Sequence, residues 1–385
     1  MSDNIMTRER ADVGSYEDIA AAAVRTTGIS DFGDGVHEEG LRVLTEDLSS
    51  PEAGLTPRGN YFQRSEVKSA LVGVLLTQAQ FAAHPEHRDV RIERPIFLMG
   101  LPRTGTTALH RYLHADPNAQ GLEMWLTQYP QPRPPRETWE SDPIFTAMQQ
   151  AFSAHHVESP EFMGIHYMDA TTVEECWRLL RQTGKSNSYE SLANVPRYTE
   201  WLQKQDWTDA YARHKENLQL VGLNDVGKRW VLKNPSHMTA LDALMTVYPD
   251  ALVVYTHRDP VTCIASSCSL SAETTVGHSS TYVGDVIGQT QLDLWSRAFH
   301  AFHDARPKYN QDQFIDIAFK DLVTDPLAVT RRVYDQFGLA WTPDVQSAIE
   351  EIDQESKQGK AKPSHTYTLE DYGLTEAGVR AAFDR

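Results

Sequence analysis

Gly100–Thr107, GLPRTGTT, is the stretch on which the reading of this chain turns. An apolar run, Pro95–Met99, leads into it, and Thr106–His114 follows with apolar residues at helical spacing. Strand, glycine loop, helix is the order of a phosphate-binding βα unit. The glycines let the backbone curl closely around an anion, and N–H groups of the loop and the helix N-terminus point at it. Gly100 and Gly105 stand at the two glycine positions of the Walker A pattern G-x-x-x-x-G-K-[ST]. One residue departs from it. Thr106 occupies the lysine position, and the cation is Arg103, inside the loop. No strong acidic strand end presents itself as a magnesium ligand. A loop with the cradle and without the magnesium apparatus fits transfer of a group that needs no metal, so no metal is expected.

Working outward, an extended run at Ala251–Thr256 (ALVVYT) is apolar and β-branched, as in a strand buried on both faces. THRDPVTCIASSCS, from Thr256, places Arg258 at that strand's end and Ser266 on the following helix, a pair able to grip one phosphate together. Trp230–Leu232 and Phe314–Phe319 are two further strand candidates. Helices are expected at Tyr16–Arg25, Val36–Leu48, Tyr61–Ala83, Thr172–Arg181, His237–Val247 and within Asp321–Phe337, where an Asp-Pro turn precedes the helix. Tyr129–Pro135 is too rich in proline for regular structure. Strands alternating with helices predict an α/β, three-layer P-loop-type fold, with a central parallel sheet flanked by helices and an N-terminal helical extension over residues 1–90.

The 385 residues are 40% hydrophobic and 23% charged, enough for one large domain or two modest ones. No apolar run approaches the ~20 residues of a membrane span, and the N-terminus lacks a signal-peptide pattern, so a cytoplasmic location is expected. Cys176, Cys263 and Cys268 are too few and scattered for a disulfide framework, and read as small buried residues. A net charge of −17 argues against nucleic acid or an anionic membrane as the main partner. A polyanionic ligand would therefore need a locally basic pocket.

GLPRTGTT, WVLKNPSHM and THRDPVTCIASS, in that order, resemble the sulfotransferases that use 3′-phosphoadenosine 5′-phosphosulfate (PAPS), above all their actinobacterial and mycobacterial branch. The resemblance runs from about Pro95 to the C-terminus, taking in Lys320-Asp321-Leu322 with Asp325-Pro326 and the tail HTYTLEDYGL. It implies a sulfotransferase domain over residues 91–385, with an acceptor-binding helical insertion at about 125–220. By this resemblance Arg103, Thr104, Gly105, Thr106 and Thr107 would bind the 5′-phosphosulfate, and Arg258 with Ser266 the 3′-phosphate. Lys360 and Lys362 sit where related enzymes bring a basic loop over that phosphate.

In-line sulfuryl transfer needs cations near the bridging oxygen and, for a hydroxyl acceptor, a base. Arg103 and Lys233 are the cations. By the same resemblance Glu123, in QGLEMW, and His237, in a Lys-x-x-x-His arrangement where the cytosolic branch has Lys-x-His, are the candidate bases, Glu123 being preferred, with another residue or substrate-assisted transfer as the alternative. Glu174 and Glu175 could line the acceptor pocket or cap a helix. Trp125, Trp139, Phe145, Phe162, His166 and Tyr167 lie where the acceptor is expected, and would suit a small-molecule or lipid hydroxyl. Two rivals stay open at this point: a P-loop kinase or nucleotide hydrolase, and a nucleotide-binding protein without catalysis.

Overall fold

Residues 8–158, 169–358 and 368–384 are described by a computed structural model. Five strands form its sheet: β1 (Ile96–Gly100), β2 (Ala119–Gln120), β3 (Arg229–Lys233), β4 (Leu252–His257) and β5 (Phe314–Ala318). Their order is β2-β3-β1-β4-β5, and every neighbouring pair is parallel. β1 lies in the middle, with Leu98 opposite Lys233 on one side and Gly100 opposite Thr256 on the other. Whatever follows β1 thus emerges between the carboxyl ends of β3 and β4.

Side chains of a strand alternate between faces, and both faces here are covered. Phe97, Met99, Val253 and Tyr255 enter a large core shared with the N-terminal helices α1 (Tyr16–Thr27), α2 (Glu38–Leu48) and α3 (Pro57–Ala83). Ile96, Leu98, Leu252 and Val254 enter a second core with Leu109 and Leu113 of α4 (Thr106–His114) and Val333 of the Pro326–Phe337 helix. Continuous apolar strands are the consequence. The result is the three-layer α/β fold expected of the sequence.

Local chemistry sets the helix ends. Ser15 caps α1 by accepting from the Asp18 N–H, and Gly28 ends it in the left-handed region. Thr56 caps α3 through the Gly59 N–H with Pro57 in its first turn, so α3 begins four residues before its expected start. Asp325 accepts from the Ala328 N–H and opens the Pro326–Phe337 helix, which Gly338 ends.

Two expected helices are corrected. Only Trp177–Arg181 of the expected Thr172–Arg181 helix is helical. Val173 pairs in a bridge with Glu123, and the Glu174 N–H donates to the Leu122 carbonyl at 2.7 Å, holding this strip extended. The expected His237–Val247 helix is split into a 3₁₀ turn, Pro235–Ala240, and a helix, Leu241–Val247. β2 went unread because two residues carry no periodicity. Among the described residues no helix is long and apolar enough to cross a membrane.

Candidate active site

The phosphate loop is held in a shape that side chains would spoil. Gly100 has φ +155°, and a Cβ there would lie 2.2 Å from the Thr256 carbonyl oxygen. Gly105 has φ +88°, and its Cβ would come within 2.7 Å of the Leu322 side chain. Arg103, with φ +69°, sits in the left-handed region without being glycine, a cost accepted where surrounding structure over-determines the backbone. Thr104 supplies part of that surrounding. Fully buried, it donates to the Leu101 carbonyl at 2.7 Å and lies 2.6 Å from the Thr256 hydroxyl, pinning the loop to β4. Its hydroxyl is therefore a fastening of the loop, and its backbone N–H is the part left to face an anion.

The sheet then delivers a cation on each side of β1. Lys233, at the end of β3 and only 2% exposed, donates to Glu175 Oε1 at 2.7 Å and to Thr107 Oγ1 at 3.2 Å. Arg258, just past β4, donates to the Arg103 carbonyl at 3.1 Å and lies over the Phe319 ring at 4.1 Å. Ser266 is buried on the Pro260–Thr274 helix. Three cations from three segments, Arg103, Lys233 and Arg258, thus converge on one loop in a protein of net charge −17. A polyanionic ligand would need such a local excess of positive charge in an acidic protein.

Two cavities flank this point. One, about 410 Å³, is lined by Pro102, Glu175, Trp177, Asn234 and Ser267, with Phe62 of α3 closing one wall. The other, about 480 Å³, opens beside Leu101, His257 and Arg258, and includes Arg380 of the C-terminal helix Glu376–Phe383, which pairs with Asp259 at 3.1 Å.

The structure does not bring either expected base to the loop. His237 is fully buried, with Nδ1 2.7 Å from the Tyr211 hydroxyl and its ring edge-on to Phe97 at 5.0 Å. Burial, with a smaller push from His214, holds its pKa well below the usual histidine value, so it is a neutral core group. The 3₁₀ turn capped by Asn234 directs it inward. Glu123 is buried against Arg133, Oε2 to Nε 3.1 Å, and Arg133 also binds Gln120 and Asp225. Burial raises the Glu123 pKa, while Arg133 pulls the other way. The cavity beside it, about 760 Å³, is lined by His114, Asp116, Arg133 and Lys228, and by no residue of the phosphate loop.

Trp125, Trp139 and Phe145 are also displaced from the expected acceptor site. They pack on one another with Trp125 at 5.5 Å from Trp139 and 5.6 Å from Phe145, as buried core. Phe162, His166, Tyr167, Lys360 and Lys362 lie outside the described residues.

Glu175 is the acid that the fold places at the loop. Its sequence signal was only its company, two adjacent acids in VEECW, and nothing local separates Glu175 from Glu174. Nothing in the sequence of α3 marks Phe62 as a cavity wall.

The fold is of the P-loop type, with basic residues gathered at its phosphate loop. Residues 95–343 match the model of the Sulfotransferase family, and the chain belongs to that family. Among curated proteins it is similar to the omega-hydroxy-beta-dihydromenaquinone-9 sulfotransferase Stf3 of Mycobacterium bovis and of Mycobacterium tuberculosis, 24% identical over 274 residues. That alignment covers 64% of this chain and 63% of the relative, so the chain spans less than two thirds of those proteins. Among solved structures it is similar to sulfotransferase STF1 of Mycobacterium tuberculosis H37Rv, 49% identical, covering 97% of this chain and 99% of that one with a TM-score of 0.90. Sulfotransferase STF9 of Mycobacterium avium is 26% identical, with coverages of 97% and 96% and a TM-score of 0.87.

Proposed function

We propose that the chain transfers the sulfuryl group of PAPS to a hydroxyl acceptor, with Glu175 in place of Glu123 or His237 as the base. One observation carries the reading: Glu175, Lys233 and Thr107 meet within hydrogen-bond distance at the phosphate loop, with Arg258 across it. The loop fits the donor's 5′-phosphosulfate, because glycines at 100 and 105 leave the concave backbone a Cβ would fill. When bound, the donor supplies an activated sulfuryl group and a phosphate that leaves with the negative charge.

The roles of the residues follow from their places. The N–H groups from Arg103 to Thr107 hold the 5′ end at the start of α4. Arg103 and Lys233 oppose charge that grows on the leaving side. Arg258 and Ser266 grip the 3′-phosphate. Glu175, at the mouth of the 410 Å³ cavity, accepts the proton of the acceptor hydroxyl. Lys233 holds that carboxylate in place between acceptor and donor.

A lipid-like acceptor is supported by the apolar wall formed by Phe62, Leu192, Leu270 and Trp295, and by the hydroxylated menaquinone named for Stf3. A cytoplasmic location belongs to the same reading, in keeping with three free, buried thiols. The test is to incubate the protein with PAPS and a panel of hydroxylated metabolites and lipids, then search for sulfated product by mass spectrometry. Glu175→Gln is expected to lower kcat by about 10²- to 10⁴-fold while leaving nucleotide affinity in place. Full activity in that variant would return the base to another residue.

A further inference from the structure

The acceptor cavity carries a charge imbalance that sulfuryl transfer does not use. The Trp177–Arg181 helix presents two guanidiniums to it, Arg178 and Arg181, each 4.2 Å from the centre of the Trp177 ring. Arg181 pairs with Glu66 of α3. Arg178 is bonded to the neutral Gln128 side chain, and no acid of the described residues forms an ion pair with it. Its Nε is buried and has no hydrogen-bond partner. Glu175, the cavity's other acid, is committed to Lys233.

The wall therefore holds two guanidiniums against one available carboxylate. Taking a charge out of water is unfavourable unless a partner of opposite sign accompanies it. Burial, and after it the neighbouring Arg181 charge, pull the Arg178 pKa below that of an ordinary arginine, although Glu66 and Glu174 oppose them. Glu66, although buried, is kept below the usual carboxylate range by both arginines. A planar guanidinium stacked on an indole, facing a cavity, is suited to receive a carboxylate or phosphate edge-on.

We propose that the acceptor is a hydroxylated amphipathic acid, whose carboxylate or phosphate docks on Arg178 and Arg181 while its hydroxyl lies at Glu175. Position sets a limit on its shape. Glu175 ends the extended strip two residues before the Trp177–Arg181 helix and Arg178 lies in that helix's first turn, so hydroxyl and anion are read by residues close together along the chain. The apolar part of the ligand packs on Phe62, Leu270 and Trp295. This inference rests on the acceptor assignment of the 410 Å³ cavity, and its test keeps the donor separate.

Calorimetric titrations would compare hydroxydecanoates, with the hydroxyl at several positions, against their methyl esters and the corresponding hydroxydecyl phosphates. Each is run with and without 3′,5′-adenosine bisphosphate. The best acid is expected to bind at least about tenfold tighter than its ester, as a charge-assisted contact gives. Arg178→Gln should reduce that ratio to within about threefold, and Arg178→Lys should keep part of it. Glu66→Gln should tighten acid binding, the opposite sign to Arg178→Gln, which a merely structural role for the cluster would not produce. The phosphate arm distinguishes which anion is preferred. Equal binding of acid and ester, a preference unchanged in Arg178→Gln, or no binding by any probe would overturn the inference. Nucleotide binding that fails while the acid preference holds would strike the donor assignment alone.

Discussion

At the residue scale, the site separates groups that hold the fold from groups that meet ligand. Among the described residues Arg258 donates one hydrogen bond, to the Arg103 carbonyl, and has donors to spare for a phosphate. Arg258→Ala is expected to weaken 3′,5′-adenosine bisphosphate binding about 10- to 100-fold, the worth of a charge-assisted bond, as read by calorimetry. Glu123 behaves in the opposite way. Removing Glu123 leaves buried Arg133 with Asp225 as its remaining counter-charge, so Glu123→Ala should lower unfolding stability by about 1–3 kcal/mol in urea titrations. Its kcat per folded molecule should stay near that of the parent, and a large loss of kcat at unchanged stability would restore Glu123 as the base. The family resemblance favoured Glu123, which lies shortly after α4 where several sulfotransferase branches place a glutamate. The sequence contains no sign that Arg133, ten residues on, folds back to hold that carboxylate.

At the scale of elements, the strands and their loops were the most legible part. β1 and β4 are buried on both faces, and their continuous apolar runs end in glycine and arginine where the chain turns. Helix termini with a side-chain cap, such as those at Ser15 and Asp325, could be read to within a few residues. The Thr172–Glu175 strip could not, because its extended shape is imposed by pairing with Leu122 and Glu123, far away in sequence. The position of Glu175 depends on that strip, which is why its place beside Lys233 at the phosphate loop could not be read. The phosphate loop offers the sharpest test at this scale. Gly105→Ala forces a side chain into positive φ and against Leu322, and should destabilise the chain by about 1–3 kcal/mol while weakening nucleotide binding. An unaltered urea midpoint would show that the loop relaxes freely.

At the scale of the whole molecule, the N-terminal helices share one core with the sheet, and α3 adds Phe62 and Glu66 to the wall of the 410 Å³ cavity. The fold also takes several histidines partly or wholly out of water. Burial lowers His37, His114 and His278 to about 4, and His214 to about 3, from an ordinary 6.5. Their neutral forms are favoured in the fold, so the unfolded chain binds more protons below pH 6.5. Stability from these groups is complete above that value and is lost as pH falls toward their folded values. The urea midpoint is expected to drop steadily between about pH 7 and pH 5, with each histidine contributing at most about 1.4 kcal/mol per pH unit. A flat profile over that interval would mean these rings are already hydrated.

The central claim is that the cleft between the β1 and β4 loops was built for a 3′-phosphorylated adenosine donor, without magnesium. Calorimetric titration of the full chain with 3′,5′-adenosine bisphosphate, beside ATP with magnesium, tests it directly. Tight binding of the bisphosphate in the absence of metal, lost on Arg258→Ala, is the predicted result. Binding of ATP with magnesium and none of the bisphosphate would contradict it.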